Sequence, residues 1–216
     1  MGKEVKEIFG ELKTICTLNN KKLGGSIMQC NMPYITSCRA DAPCKKECYC
    51  HKGHLLLVNK YHQKRYNAYK ADSDLFFKKI DMELQTTNFS FFRWHSSGDI
   101  VDERYFLGMV QIAKNHPEVK FLAFTKKYEI VNRFLDEGNE IPDNLSILFS
   151  AWGAGWSFPN PYNLPVSHIE TGNAEFDSVI PTENVHKCSG FCGTCVKGEH
   201  NCWTLKRGEC VVIHKH

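Results

Sequence analysis

The chain has 216 residues, of which 42% are hydrophobic and 12% aromatic, enough for one domain or one domain with a small appendage. Its net charge of +3 is too small to indicate a nucleic-acid partner, and no apolar run approaches the length of a transmembrane helix. The charged N-terminus lacks the apolar core of a signal peptide. We therefore expect a cytoplasmic protein without a membrane partner.

The hydrophobic pattern predicts strands that alternate with helices. The predicted strands lie at residues 26–35, 89–95, 119–125, 145–151 and 166–170. The predicted helices lie at residues 3–16, 55–70, 73–84, 102–115 and 130–138. Strands and helices of these lengths predict βαβ units, a parallel sheet and right-handed crossovers.

Four cysteines follow the first predicted strand closely: Cys38, Cys44, Cys48 and Cys50. Ionised thiolates this close repel one another, and a soft cation, as zinc or as an iron–sulfur cluster, relieves the repulsion. A disulfide-rich loop and a set of buried free thiols are the alternatives. Eleven cysteines in a reducing compartment favour metal binding. Cys30 is a candidate spare ligand.

A second cysteine group lies in the C-terminal segment. It consists of Cys188, Cys192, Cys195 and Cys202, with Cys210 in reserve. A zinc ribbon usually pairs two C-x2-C units, and this segment has one. The crowded group therefore favours iron–sulfur clusters, of the [4Fe–4S] type, over zinc.

Polar residues stand where the predicted strands end, at residues 95–99, 125–127 and 150–153. The cysteine loop at residues 38–50 also follows a strand. Because the carboxyl ends of parallel strands meet at one edge or rim, we expect these segments to converge.

Two of these segments supply the candidate site residues. Asp99 and Lys126 are candidates for catalysis, and Ser97, Gly98 and Asp99 are candidates for binding a cofactor. Gly98 would let the backbone approach a ligand closely. The alternative is that Gly98 and Asp99 only shape the turn and cap the next helix. His95 is predicted to be a hydrogen-bonded core histidine.

The tail motif Cys188-x3-Cys192-x2-Cys195 resembles the radical-SAM signature. In that superfamily three cysteines hold a [4Fe–4S] cluster, and its open iron binds S-adenosylmethionine. The superfamily motif lies after the first barrel strand, whereas this copy lies after the last.

The first cysteine group has the expected place and an altered spacing. Cys44, Cys48 and Tyr49 match the first two cysteines of the radical-SAM signature and the aromatic residue that follows them. The third cysteine position is occupied by His51, and Cys50 stands one residue earlier.

A closer resemblance is to the phage gene-product-eighty-eight type of protein. It is carried by Cys38, Cys44, Cys48 and Tyr49, then FRWHSSGD, then FLAFTKK, then the terminal cysteines. The resemblance implies a partial, radical-SAM-like parallel β/α barrel with cysteine-held iron–sulfur chemistry. Cys38, Cys44 and Cys48 would be its N-terminal ligands.

The predicted fold is therefore α/β, a partial parallel β/α barrel at residues 1–180 with a cysteine-rich metal-binding tail at 181–216. Three function classes compete. The first is a radical-SAM-like enzyme that uses S-adenosylmethionine on a small-molecule substrate. The second is an iron–sulfur electron carrier or redox sensor with a redox partner. The third is a zinc-stabilised nucleic-acid-binding module that uses the basic, tyrosine-containing stretch at residues 59–70.

Overall fold

The computed structural model describes residues 2–18, 20–51 and 54–215. The helices are α1 Lys3–Gly10, α2 Tyr34–Ser37, α3 His54–Ala71, α4 Ser73–Gln85, α5 Glu103–Asn115, α6 Tyr128–Asp136, α7 Ala174–Asp177 and α8 Cys192–Cys195. The strands are β1 Ile27–Cys30, β2 Phe91–Trp94, β3 Lys120–Thr125, β4 Leu145–Ser150, β5 Val166–Glu170, β6 Val185–Lys187 and β7 Cys210–His214. Among these residues, no helix is both long and apolar enough to cross a membrane.

The seven strands form one parallel sheet in the order β1-β2-β3-β4-β5-β7-β6. The predicted α/β class and parallel sheet are confirmed. Because the first five strands are ordered as in the chain, right-handed crossovers bring their helices back to the same face. Within the described residues the sheet is open, with β1 and β6 at its edges, so no closed barrel forms.

One face of the sheet is covered by helices. Alternate strand residues, including Phe92, Trp94, Phe121 and Phe149, point to this face and are fully buried. They pack against α1, α3, α4, α5 and α6. Burial of a phenylalanine side chain contributes about 1.5–3 kcal/mol, so this layer supplies much of the fold's stability.

The other face of the sheet is covered partly by the tail. Leu122, Leu148 and Val211 point to this face and pack with Trp203 and Leu205. The tail also contributes β6 and β7, two strands that the hydrophobic pattern did not predict. Sheet pairing and apolar packing therefore both tie the tail to the rest of the protein.

The first predicted helix, 3–16, is too long and ends at Gly10. The backbone N–H groups of Ile15 and Cys16 donate to the Glu83 carboxylate, over 2.7 and 2.8 Å. Arg65 donates to the carbonyl of Ile15. These side chains satisfy backbone groups that a continued helix would have paired internally, so residues beyond Gly10 adopt another path.

Candidate functional site

A cavity of about 1080 Å³ lies on the tail-covered face of the sheet, toward the carboxyl ends of the strands. Its wall includes Arg93 and Phe124 from the sheet and the first half of α3. Six cysteines from both ends of the chain line it: Cys44, Cys48, Cys188, Cys192, Cys195 and Cys202. The structure thus brings the two cysteine groups to one cavity.

Three thiols of the first group share one environment. Burial raises the pKa of Cys38 to about 12, and the Asp99 carboxylate and the thiols of Cys44 and Cys48 add to this effect. The Lys126 ammonium opposes the shift and therefore stands beside the same thiols. These groups therefore interact electrostatically; Cys44, Cys48 and Lys126 line the cavity, whereas Cys38 lies outside its lining.

Cys50 is hydrogen-bonded both to Ser97 and to Cys48, one of these three thiols. Its side chain is buried and donates to the Ser97 hydroxyl over 3.3 Å. Hydrogen bonding with the thiol and the backbone N–H of Cys50 lowers the pKa of Cys48 to about 6. Cys50 does not line the cavity, whereas Cys48 does. The structure therefore places Cys50 as a hydrogen-bond donor behind Cys48.

Asp99 is buried and fully engaged by protein donors. Its carboxylate accepts from the Thr125 hydroxyl at 2.6 Å, from the Lys126 N–H at 2.9 Å and from the Ile100 N–H at 2.7 Å. Its own N–H donates to the Ser37 hydroxyl over 3.0 Å. Asp99 therefore joins the ends of β2 and β3 to the turn that precedes the cysteine loop. It lies outside the cavity lining, whereas Lys126 is part of it.

Gly98 approaches protein backbone. Its φ is +83°, and a Cβ atom there would lie 2.4 Å from the Met32 carbonyl oxygen and 2.6 Å from the Ser37 hydroxyl. The neighbouring Ser97 lines the cavity, and its N–H donates to the side chain of Asn31 over 3.1 Å. These contacts alone require glycine at position 98, as expected if Gly98 shapes the turn.

Four thiols of the tail also share one environment. Burial raises the pKa of Cys202 to about 12, the Arg93 guanidinium opposes the shift, and the thiols of Cys188, Cys195 and Cys192 add to it. An Arg93 nitrogen lies 4.0 Å from the Cys192 sulfur. The single turn of α8 carries both Cys192 and Cys195, which directs them to the same side.

Two partners of the tail thiols were not predicted from the sequence. Arg93 reaches Cys192 from β2, the strand next to the edge strand β1, and the His186 Nε2 atom lies 3.8 Å from the Cys195 sulfur. In the sequence, Arg93 stands out as a charged residue within an otherwise apolar strand, and this could have indicated a functional role. His186 lies on the short strand β6, which the hydrophobic pattern did not predict.

The remaining candidate ligands lie away from the cavity. Cys30 is fully buried on the helix-covered face, with its sulfur 3.9 Å from the Tyr105 hydroxyl. Cys210 is buried within β7. Neither lines the cavity. Among the residues that the structure describes, no three Cys, His, Asp or Glu side chains meet at the spacing that one metal ion requires.

His95 is a core histidine, as predicted, and it makes stability depend on pH. It is buried, and its Nε2 atom lies 3.2 Å from the Tyr105 hydroxyl. Burial lowers its pKa to about 3. The unfolded chain takes up a proton on this imidazole near pH 6.5, whereas the folded protein does so only near pH 3. The stability that the neutral His95 ring contributes to the folded protein is therefore complete above pH 6.5 and is lost as the pH falls toward 3.

We expect His95→Asn to flatten this dependence. Asparagine tolerates the φ of +57° at this position and does not titrate. Between pH 7 and pH 5, the free energy of unfolding should fall by about 2 kcal/mol more in the unsubstituted protein than in the variant. Urea titrations at the two pH values measure the difference. Equal losses in both proteins would show that His95 is not held neutral.

The fold and the site define a class: an open, parallel α/β protein with cysteines from both ends of the chain around one cavity. The family model described as gene product 88 matches residues 5–206, and the chain belongs to that family. No curated protein and no solved structure matches the chain.

Proposed function

We propose that the protein is an iron–sulfur protein, and specifically a radical-SAM-like enzyme that acts on a small molecule held in the cavity. The observation that carries the proposal is the meeting, at one cavity, of six cysteines from the two cysteine groups of the chain. Thiolates are the ligands that iron–sulfur clusters require.

The first thiol set fits a cluster with one iron left open. Cys38, Cys44 and Cys48 would hold three irons of a [4Fe–4S] cluster, and Lys126 would offset part of its negative charge. When bound, such a cluster supplies an iron to which the amine and carboxylate of S-adenosylmethionine can chelate. Cys50 would keep its hydrogen bond to Ser97, so the fourth iron would have no protein ligand.

The tail thiol set fits a cluster with complete protein ligation. Cys188, Cys192, Cys195 and Cys202 provide the four thiols of a site ligated entirely by cysteine. The Gly190 N–H donates to the Cys188 sulfur over 3.4 Å. Hydrogen bonds to ligating sulfurs and nearby positive charge raise the reduction potential of a cluster.

The complete tail set also favours a second candidate function. A closed cluster suits electron transfer or redox sensing, because no iron is available to a substrate. If the first set were closed too, the protein would be an electron carrier with a redox partner. The zinc-stabilised nucleic-acid module is the third class, and metal content separates it from the other two.

Three features support a partial barrel as the scaffold of this site. The first five strands follow one another in order, the helices cover one face, and the two edges of the sheet are linked through the tail. At that link, a Cβ atom on Gly24 would lie 2.8 Å from the Cα atom of Gly193. The segment before β1 therefore touches the helix that carries Cys192 and Cys195.

The decisive experiment is the metal content of protein purified without oxygen. We expect iron and acid-labile sulfide in near-equal amounts and a brown protein. Addition of S-adenosylmethionine should then change the electron paramagnetic resonance signal of the reduced protein if the first cluster has an open iron. Zinc without sulfide, from a host able to assemble clusters, would contradict the proposal.

A further inference from the structure

The cavity lining is strongly cationic. Of the described lining residues, one is a carboxylate, Glu47, and six are cations: Lys21, Lys22, Arg65, Arg93, Lys126 and Lys215. The lining therefore carries a formal charge of +5, and since the whole chain carries +3, the remainder carries −2. The positive charge of this protein is concentrated where a ligand would enter, which favours an anion.

Only two of these six cations stand beside the lining thiols. Lys126 lies beside the first thiol set, and Arg93 beside the tail set. Arg65 instead lies close to Cys16 and Cys30, which do not line the cavity. Arg65 is buried, donates to the Ile15 carbonyl and has the Glu83 carboxylate beside the same thiols, so its charge already has a partner within the protein. Lys21 lines the cavity and forms no ion pair among the described residues, so a second anionic group in the cavity would meet its charge.

Aromatic rings stand exposed around the same cavity. Tyr49, Tyr61 and Phe191 all line it, and they are 55%, 50% and 42% exposed. Two more lining rings lie against cations: Trp152 is 5.8 Å from the Lys126 ammonium, and Phe124 is 4.9 Å from the Arg93 guanidinium. Exposed rings interleaved with cations stack planar bases and hold phosphates in nucleic-acid-binding grooves.

The wall also contains a buried polar group suited to a heterocycle. His62 on α3 is 4% exposed and lines the cavity, and its Nδ1 atom has no hydrogen-bond partner among the described residues. Burial lowers its pKa to about 4, so the ring is neutral at pH 7. A neutral imidazole offers one donor and one acceptor, as the edge of a nucleobase does. The Nδ1 atom itself is closed to solvent, so the ring meets the cavity through its other atoms.

We propose that the cavity binds a nucleotide, with its phosphates on the cations and its base between the exposed rings. The inference rests on the proposed function and deepens it, because it names the substrate class for the same cavity. The cavity volume of about 1080 Å³ lies just above the roughly 300–1,000 Å³ of common small-molecule sites.

Calorimetric titration at low salt tests the inference with three probes: ATP, adenosine and inorganic tripolyphosphate. We expect ATP to bind at least about tenfold more tightly than either part, because it engages both rings and cations. Tyr61→Ala should weaken ATP binding about fivefold or more. Leu57→Ala is the matched control, since Leu57 lies on the same helix, is 64% exposed and does not line the cavity.

A second pair of variants tests the charge. Lys21→Gln should weaken binding of ATP and leave that of adenosine unchanged. Lys114→Gln, in an exposed position on α5, should change neither. The inference is overturned if ATP binds no better than adenosine, or if Tyr61→Ala and Leu57→Ala behave alike.

Iron content is measured on the same preparations, so the two proposals can fail separately. Nucleotide binding by protein without iron or sulfide would support this inference and contradict the cluster proposal. Iron-loaded protein that binds none of the three probes would overturn this inference and leave the cluster proposal standing.

Discussion

Replacing Gly98 with alanine should destabilise the protein severely and, under the iron–sulfur proposal, lower the iron that it binds. The new Cβ atom would lie 2.4 Å from the Met32 carbonyl oxygen and 2.7 Å from the Met32 carbonyl carbon. Both are backbone atoms, so no side-chain rotation can relieve the contact. Overpacking of this kind costs about 1–3 kcal/mol, in addition to about 1–2 kcal/mol for a left-handed backbone with a side chain.

Gly155→Ala is the matched control for Gly98→Ala. Gly155 has the same φ of +83°, and a Cβ atom there would meet nothing within 4 Å. The difference between the two variants in the free energy of unfolding therefore isolates the contact with Met32. We expect it to be about 2 kcal/mol or more by urea denaturation. Equal stabilities would show that the turn between β1 and α2 moves freely away from Gly98.

The loss of metal in Gly98→Ala follows from the position of that turn. Residues 32–37 lead directly into Cys38, and the Ser37 hydroxyl accepts from the Asp99 N–H beside Gly98. A shifted turn would displace Cys38 from the thiols of Cys44 and Cys48. Iron bound by the folded fraction of Gly98→Ala should therefore be lower than that of Gly155→Ala.

Under the iron–sulfur proposal, replacing Cys44 with alanine should abolish the cluster at the first cysteine group, whereas replacing Cys50 should leave it intact. Cys44 lines the cavity and stands beside the thiols of Cys38 and Cys48. Cys50 is directed at the Ser97 hydroxyl and lies outside the lining. If both sites hold four irons, Cys44→Ala should lose about half of the iron and sulfide of the protein.

Iron and sulfide analysis of anaerobic Cys44→Ala, Cys50→Ala and unsubstituted protein measures this difference. Cys188→Ala serves as the counterpart in the tail and should leave the first cluster in place. Equal losses in Cys44→Ala and Cys50→Ala would mean that Cys50 is the fourth ligand. The first site would then be closed, and electron transfer would replace the enzyme proposal.

The sequence alone determined the elements whose pattern is local. The strands at 89–95, 119–125 and 145–151 and the helix at 102–115 were predicted within about two residues, because buried alternation and helical spacing are properties of consecutive residues. The order of strands and cysteine loop also placed the first thiol group at the carboxyl end of the sheet, since parallel strands point the same way.

Only the tertiary structure decided which groups meet across the chain. Arg93 faces the tail thiols because alternate residues of β2 point to opposite faces, and the tail returns to the face that Arg93 occupies. The short strand β6 and its histidine His186 were missed because three residues carry too little pattern to predict a strand.

The role of Gly98 was likewise decided by a contact that the sequence does not contain. Its neighbour in space, Met32, is more than sixty residues away in the chain. The local sequence is the same whether a ligand or a distant backbone segment packs against a glycine, so it does not distinguish the two cases. Cys50 has the residue type and loop of a ligand, and the fold brings its thiol to the Ser97 hydroxyl and to Cys48. Residue type and spacing determined which side chains could bind a metal, and packing between distant segments decided which of them share the cavity.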